Sequence, residues 1–93
     1  MDFEWDDDKY ETNLAKHGIS FEQAARIFSS PILQREDTRR AYGETRFIST
    51  GMVQGVCYVV VHTERNGLTR LISARIGGRR DHKRYYTYLT GGT

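Results

Sequence analysis

The dipeptide Asn66-Gly67, which joins two extended segments, constrains the fold more than any other feature of the chain. Both central residues of a two-residue type I′ turn need positive φ, and Asn-Gly tolerates this better than most pairs. The flanking segments, GVCYVVVHTE at residues 55–64 and LTRLISARI at residues 68–76, are rich in the β-branched residues that favour strands. The sequence therefore predicts an antiparallel hairpin here.

Two helices are predicted before the hairpin and a third after it. A short strand at residues 2–5 leads to Asp6, which can cap a helix over about residues 7–17. Ser20, with a glutamine three residues later, fits a capping box that opens a second helix, and Pro31 ends that helix. The basic segment RRDHKRYYTYL at residues 79–89 shows no strand alternation, which predicts a C-terminal helix.

Two further strands are predicted between the second helix and the hairpin. They are ILQRE at residues 32–36 and TRFIST at residues 45–50, separated by the polar connection DTRRAYGE. The predicted order is β-α-α-β-β-β-β-α, an α+β fold with an antiparallel sheet and a C-terminal helix. We expect one domain over residues 1–93.

Composition argues against several classes of protein. The chain has no run of about 18 apolar residues and begins with the acidic MDFEWDDDK, so we expect neither a membrane span nor a secretory signal, and a cytoplasmic location. Cys57, the single cysteine, lies within VCYVVV and is expected to be a buried thiol. The histidines at positions 17, 62 and 82 lack the short spacing of zinc sites, and no phosphate-binding loop is present, so neither a metal nor a cofactor is expected.

Charge is strongly segregated along the chain although the formal net charge is only +2. Residues 1–8 carry five acidic side chains and no basic one. Residues 65–84 carry seven arginines and lysines against the single acid Asp81, a local charge of +6. Such a patch attracts phosphate backbones or an acidic protein partner.

The hairpin register predicts which side chains share a face of the sheet. With Asn66-Gly67 as the turn, His62 opposes Leu71 and Tyr58 opposes Arg75. If Thr50 opposes Val56 across the preceding connection, Arg46 joins the same face. Because side chains alternate between faces, one wet surface is expected to hold Arg46, Tyr58, His62 and Arg75, with the core face holding Cys57, Val59, Val61, Ile72 and Ala74.

This set of side chains predicts cleavage of RNA without a metal ion. RNA supplies its own nucleophile, the 2′-hydroxyl, so cleavage needs a proton acceptor, cations that stabilise the phosphorane and a proton donor. We expect Arg46 and Arg75 to be the cations, and His62, His17 or Lys16 to be acid–base groups. For Lys16 and His17 a second interpretation stays open, since cations in the last turn of a helix also stabilise its carbonyl end. The residues expected to contact the RNA backbone are Arg79, Arg80, Lys83 and Arg84.

Several motifs resemble the BrnT family of type II toxins. They are FEWD at residues 3–6, Lys9, Asn13, KHGISFEQA at residues 16–24, Arg46-Phe47, VVHTE at residues 60–64, and LISAR at residues 71–75 followed by a basic helix with Tyr85. The resemblance implies a RelE-like fold, a ribonuclease that inhibits translation, and Tyr85 among the RNA-binding residues. It also implies a BrnA-like antitoxin with a ribbon-helix-helix domain, a 2:2 heterotetramer, and binding of operator DNA through the antitoxin.

The chain departs from the family pattern after the ISAR-type segment. Gly77-Gly78 stands where the family has an alanine-threonine pair, and Asp81 stands where a glutamate is usual. We expect the glycines to loosen the junction between the last strand and the C-terminal helix, and that helix to be mobile without its partner. Arg70 matches the family but falls on the opposite face in the predicted register, which indicates an antitoxin or structural contact.

Two other classes of function remain open. A nucleic-acid-binding module without catalysis would explain the basic C-terminal segment and would leave a labelled RNA intact. A protein-interaction domain, with the acidic and basic ends as complementary patches, would assemble in a salt-sensitive manner and would have no affinity for RNA.

Overall fold

The computed structural model describes residues 1–91 and confirms the predicted order of elements. The strands are β1 (Phe3–Trp5), β2 (Leu33–Glu36), β3 (Phe47–Val53), β4 (Val56–Arg65) and β5 (Leu68–Ile76). The helices are α1 (Asp7–His17), α2 (Phe21–Ala25), which continues as a 3-10 turn over Arg26–Ser29, and α3 (Arg79–Leu89). One sheet has the order β1-β5-β4-β3-β2, antiparallel throughout except that β1 runs parallel to β5. No helix within residues 1–91 is both long and apolar enough to cross a membrane.

The predicted N-caps Asp6 and Ser20 are confirmed, but the predicted capping box is not formed, because the Gln23 side chain donates to the Tyr58 hydroxyl at 2.7 Å. The Asp6 carboxylate accepts hydrogen bonds from the backbone N–H groups of Asp8 and Lys9, at 2.9 and 3.2 Å. Gly18 ends α1 in the left-handed conformation, with φ of 71°. The Ser20 hydroxyl accepts the backbone N–H of the third residue of α2 at 3.0 Å. These local signals fix where α1 ends and α2 begins.

Two tight turns, rather than one, set the register of the central strands. Asn66-Gly67 has φ of 54° and 77°, and Gln54-Gly55 has φ of 51° and 78°, so both form two-residue turns with left-handed central residues. The expectation that Thr50 opposes Val56 is wrong, because β3 continues to Val53 before it turns. Thr50 opposes Val59 instead.

A β-bulge at Ile72 changes the register of β5 halfway along the hairpin. His62 opposes Leu71 as predicted, but Val61 opposes Ser73, which leaves Ile72 as the extra residue. Arg75 therefore lies opposite Val59 and not opposite Tyr58. A bulge reverses the face to which all later side chains of its strand point, relative to an unbroken ladder.

The main core lies between one face of the sheet and the helices α1 and α2. Its buried members on the sheet include Tyr58, Val60 and Leu71, so the prediction that Tyr58 belongs to a wet surface is wrong. Gly51 lets the 3-10 turn approach this face, because a Cβ at that position would lie 2.8 Å from the Ile27 Cβ. We call this the helix face of the sheet and the opposite one the outer face.

The C-terminal helix packs on the outer face through one tyrosine. Tyr85 is 3% exposed, and its hydroxyl donates a hydrogen bond to the carbonyl oxygen of Pro31. Burial raises the pKa of the Tyr85 hydroxyl. The helix is thereby anchored to the segment that enters β2.

Candidate active site

Three arginines from three different elements line one recess on the outer face. Arg35 of β2, Arg75 of β5 and Arg84 of α3 surround a space of about 380 Å³, which we call the arginine groove. Its remaining lining consists of Leu33, Ile48, Thr50, Val59 and Asp81. Leu33 opposes Thr50 and Arg35 opposes Ile48 in the ladder, so alternation along β2 and β3 turns these side chains to the groove.

The groove has excess positive charge because only one of its arginines is neutralised. Arg75 Nη1 lies 2.9 Å from Asp81 Oδ2, whereas within residues 1–91 Arg35 and Arg84 form no ion pair. Burial alone would raise the pKa of Asp81, but hydrogen bonds from Arg75 and from the Gly78 N–H lower it overall. Asp81 is therefore ionised at neutral pH and orients Arg75.

The strand-to-helix junction that carries Arg75 is tight and is not loosened by its glycines, which corrects our expectation. The Gly77 N–H donates to the Cys57 carbonyl at 2.8 Å. A Cβ on Gly77 would lie only 2.5 Å from the Cys57 sulfur, so glycine is needed where the two strands meet. Asp81 Oδ2 accepts the Gly78 N–H at 2.8 Å and thereby caps α3.

His62 does not share a surface with Arg75. The imidazole is 1% exposed on the helix face, in edge contact with Phe28, and its Nε2 lies 2.7 Å from the Ser49 hydroxyl. Burial lowers its pKa to about 4, so it is neutral at pH 7. The predicted grouping of His62 with Arg46, Tyr58 and Arg75 on one wet surface is wrong, since the bulge and the helices turn the residues apart.

Arg46 lies at the far end of β3 and is held by a loop instead of facing Arg75. Its Nε donates to Glu44 Oε2 at 2.9 Å, and its guanidinium lies 4.2 Å from the centre of the Tyr42 ring. Because Arg46 is one residue before Phe47, alternation puts it on the same face as Ile48. It therefore belongs to the outer face, beyond the arginine groove.

Lys16 and His17 line a separate cleft. A recess of about 290 Å³ between α1 and β5, which we call the α1 cleft, is bordered by Lys9, Lys16, His17 and Ser73 among others. Asn13 closes its base, because its side-chain amide donates to the Ala74 carbonyl at 2.9 Å and accepts the Ala74 N–H at 3.0 Å. Lys16 and His17 also occupy the last turn of α1, where they can stabilise the helix end.

The predicted RNA-binding residues of α3 are four cations and one buried tyrosine. Arg79, Arg80 and Lys83 are exposed, and Arg84 lines the arginine groove. Tyr85, expected to contact RNA, is instead buried against Pro31 and cannot stack on a base. Arg70 lies 3.3 Å from Glu4 and ties β5 to β1, which agrees with the structural interpretation.

Arg35 was not identified as a groove residue from the sequence. The hydrogen bonds between the Asn13 side chain and the backbone of Ala74 were not predicted either. Arg35 follows the alternation of ILQRE, and correct pairing of β2 with β3 would have identified it. The structural role of Asn13 has no local signal, since its partner Ala74 is 61 positions away. Within residues 1–91, no group of three or more His, Cys, Asp or Glu side chains is arranged to hold a metal ion.

Comparison with known families gives one match. The family model described as "Ribonuclease toxin, BrnT, of type II toxin-antitoxin system" matches residues 5–81. The matched range runs from the last residue of β1 to the first turn of α3 and therefore includes Arg35, Arg75 and Asp81. No curated protein sequence matches this chain.

Proposed function

Because the chain belongs to the BrnT family of ribonuclease toxins of type II toxin–antitoxin systems, we propose that it cleaves RNA internally, without a metal ion, at the arginine groove. The single observation that carries this proposal is the convergence of Arg35, Arg75 and Arg84 on one recess. Guanidinium groups bind phosphate in a bidentate manner and keep their charge at all relevant pH values. Cleavage by such a toxin would arrest translation.

The proposed chemistry relies on the substrate for its nucleophile. Attack of the RNA 2′-hydroxyl on the adjacent phosphorus, with loss of its proton to hydroxide from solvent, forms a pentacoordinate phosphorane. Departure of the 5′-oxygen, which takes a proton from water, then leaves a 2′,3′-cyclic phosphate. Arg75, oriented by Asp81, and the unpaired Arg35 and Arg84 are positioned to stabilise the added negative charge. Removing one preorganised donor of this kind typically costs roughly 3 kcal/mol, or about 100-fold in rate.

The groove favours charge stabilisation over acid–base catalysis by histidine. Of the three histidines, His62 is buried on the helix face, His17 lines the α1 cleft, and His82 does not line the groove. Asp81 is a weak base because its pKa is lowered and its oxygen already accepts two hydrogen bonds. We therefore expect the cleavage rate to rise with pH through the neutral range, with no inflection near the imidazole pKa of about 6.5.

The α1 cleft is the second candidate site, and it makes a different prediction. Lys9, Lys16 and His17 would supply two cations and an imidazole. Catalysis there would require the His17 side chain. Replacing His17 with glutamine would then abolish most of the activity, whereas catalysis in the arginine groove would leave it unchanged.

The experiment that tests the proposed activity is cleavage of a labelled single-stranded RNA by the purified protein in excess EDTA. We expect cleavage to persist and its 5′ product to end in a 2′,3′-cyclic phosphate. Loss of cleavage in EDTA, restored by a divalent cation, would contradict the metal-independent mechanism. Binding of RNA without any cleavage would favour a nucleic-acid-binding module instead.

We propose that the neutralising partner is a BrnA-like antitoxin with a ribbon-helix-helix domain, in a 2:2 complex that binds operator DNA. An apolar notch of about 450 Å³ adjoins the arginine groove and is lined by Leu33, Lys83, Arg84, Thr87 and Tyr88. Two cations beside an apolar floor are complementary to an acidic amphipathic segment of the antitoxin. Because Leu33 and Arg84 border both recesses, an antitoxin segment in the notch would exclude RNA from the groove.

A further inference from the structure

The loop between β2 and β3, at residues 37–46, is ordered around a buried carboxylate. Asp37 is 3% exposed and accepts hydrogen bonds from Arg39 Nε and Nη2, both at 2.7 Å, and from the Tyr42 hydroxyl at 3.0 Å. The hydrogen bonds from Arg39 hold the pKa of Asp37 well below its usual range. The carboxylate is therefore ionised at every physiological pH, and it fixes both Arg39 and Tyr42.

A backbone hydrogen bond between the first and last residues of this loop closes its base. The Asp37 N–H donates to the Arg46 carbonyl at 2.7 Å, one pair beyond Glu36 and Phe47. Arg46 then places its guanidinium over the Tyr42 ring at 4.2 Å, while Glu44 accepts from its Nε. Tyr42 is thus held by its hydroxyl and by one face of its ring.

The same tyrosine borders an open recess. Tyr42, Arg39 and Arg40 line a space of about 370 Å³, within the size range of small-molecule sites of about 300–1,000 Å³. Arg40 is exposed, and within residues 1–91 it forms no ion pair. An aromatic ring beside the unneutralised guanidinium of Arg40 suits a nucleotide, since the ring can stack on a base and the cation can bind its phosphate.

The recess borders the outer face, on which the arginine groove lies, because Tyr42 contacts Asp37 and Arg46. Asp37 follows Arg35 by two residues and Arg46 precedes Ile48 by two, so alternation keeps both on that face. Arg35 and Asp37 are two residues apart in an extended segment, a separation of about 7 Å. We propose that the Tyr42 recess is a nucleotide-binding subsite, where one base flanking the cleaved phosphodiester stacks on Tyr42 and its phosphate contacts Arg40. This inference rests on the proposed function, because it assigns the RNA strand a path from the groove to the loop.

The test separates stacking from a structural role of Tyr42. The probe is a single-stranded RNA with 2′-O-methyl groups at every position, which cannot be cleaved, and binding is measured by fluorescence anisotropy. We expect Tyr42→Leu to weaken binding by roughly tenfold, as typical for loss of one stacked base. Tyr42→Phe should bind within about threefold of wild type, because it keeps the ring and loses only the hydrogen bond to Asp37. Arg26→Gln, an exposed arginine in the 3-10 turn that follows α2, serves as the charge control and should bind like wild type.

Two outcomes would overturn the subsite. One is a folded Tyr42→Leu protein that binds as tightly as wild type. The other is an equal loss of binding in Tyr42→Leu and Tyr42→Phe, which would indicate that the hydroxyl and the loop structure matter and not the ring. An abasic scan of the probe provides an independent check, because one abasic position should remove the difference between wild type and Tyr42→Leu.

Failure of the proposed function would look different. A wild-type protein that binds the methylated probe through Tyr42 but leaves unmodified RNA intact would overturn cleavage and support the subsite. A wild-type protein that cleaves RNA, with Tyr42→Leu binding normally, would overturn the subsite alone. A wild-type protein that neither binds the methylated probe nor cleaves unmodified RNA would overturn both.

Discussion

Arg75 Nη1 lies 2.9 Å from Asp81 Oδ2, and the same carboxylate oxygen accepts the N–H of Gly78 at 2.8 Å. One acidic side chain therefore both orients a groove cation and caps the C-terminal helix. This arrangement explains how a junction with two consecutive glycines holds α3 in place.

Replacing Asp81 with asparagine should loosen the start of α3 more than any other part of the chain. The amide keeps an acceptor but loses the charge that favours both the cap and Arg75. Because the Arg75 side chain is 45% exposed, solvent weakens the pair, and we expect a stability loss of only about 1 kcal/mol. Hydrogen exchange should show faster exchange of the first-turn amides of α3 in the variant. Unchanged protection there would contradict the cap, and rapid exchange of all of α3 in wild type would contradict the tight junction.

Gly77 and Gly78 should respond differently to alanine. A Cβ on Gly77 would lie 2.5 Å from the Cys57 sulfur, whereas the nearest atom to a Cβ on Gly78 is 3.9 Å away. We expect Gly77→Ala to destabilise by about 1–3 kcal/mol, as overpacking does, and Gly78→Ala to cost less, at most about 1 kcal/mol, because alanine is a poorer N-cap than glycine. Adding Cys57→Ala should restore part of the loss in Gly77→Ala, as measured by urea denaturation. Equal effects of the two glycine substitutions would argue against the close approach.

His62 should make the folded protein less stable as the pH falls. Its pKa is about 4 when folded and returns to the ordinary 6.5 on unfolding, so the unfolded chain takes up the proton first. Stability is therefore lost as the pH falls from about 6.5 to about 4, by at most about 3 kcal/mol from this group.

The His62→Gln variant isolates this contribution, since glutamine can hydrogen-bond Ser49 and does not titrate. We expect the difference in unfolding free energy between pH 7.5 and pH 5 to be smaller in the variant than in wild type. An identical pH dependence in the two proteins would show that the imidazole is not buried as described. RNA cleavage at neutral pH should be unaffected by the substitution, because His62 does not reach the outer face.

Local sequence signals predicted the elements well and their pairing less well. Asp6, Ser20, Gly18 and Asn66-Gly67 act within a few residues of themselves, so the ends of α1, the start of α2 and one turn were predictable. Gln54 is an unusual residue for a left-handed turn position, and its turn was missed for that reason.

Which side chains form the candidate site depends on strand register and helix packing, and the sequence alone does not reveal these. The bulge at Ile72 carries no composition signal, yet it decides that Arg75 faces away from Tyr58. The choice of face was also unpredictable, because both faces of β4 carry valines and only the packing of α1 and α2 distinguishes them. Arg75 was predicted and lies in the groove, whereas His62 was predicted for the same surface and lies in the core.

The apolar notch predicts different roles for two neighbouring tyrosines of α3. Tyr88 lines the notch and is 47% exposed, while Tyr86 is 57% exposed and does not line it. We expect Tyr88→Ser to weaken binding of the antitoxin encoded beside the toxin gene by at least about tenfold, as for a central aromatic contact. Tyr86→Ser is the matched control and should bind within about threefold of wild type, by calorimetry. If Tyr86→Ser loses more affinity than Tyr88→Ser, the notch is not the docking site.

The most direct measurement of the central claim is the single-turnover cleavage rate of a labelled RNA by Arg35→Gln, Arg75→Gln and Arg84→Gln, beside Arg26→Gln. Arg26 is an exposed arginine in the 3-10 turn that follows α2, so it controls for net charge away from the groove. We predict that each groove substitution lowers the rate by at least about tenfold while the melting temperature changes by a few degrees, and that Arg26→Gln cleaves like wild type. Cleavage at the wild-type rate by the three groove variants would contradict the account.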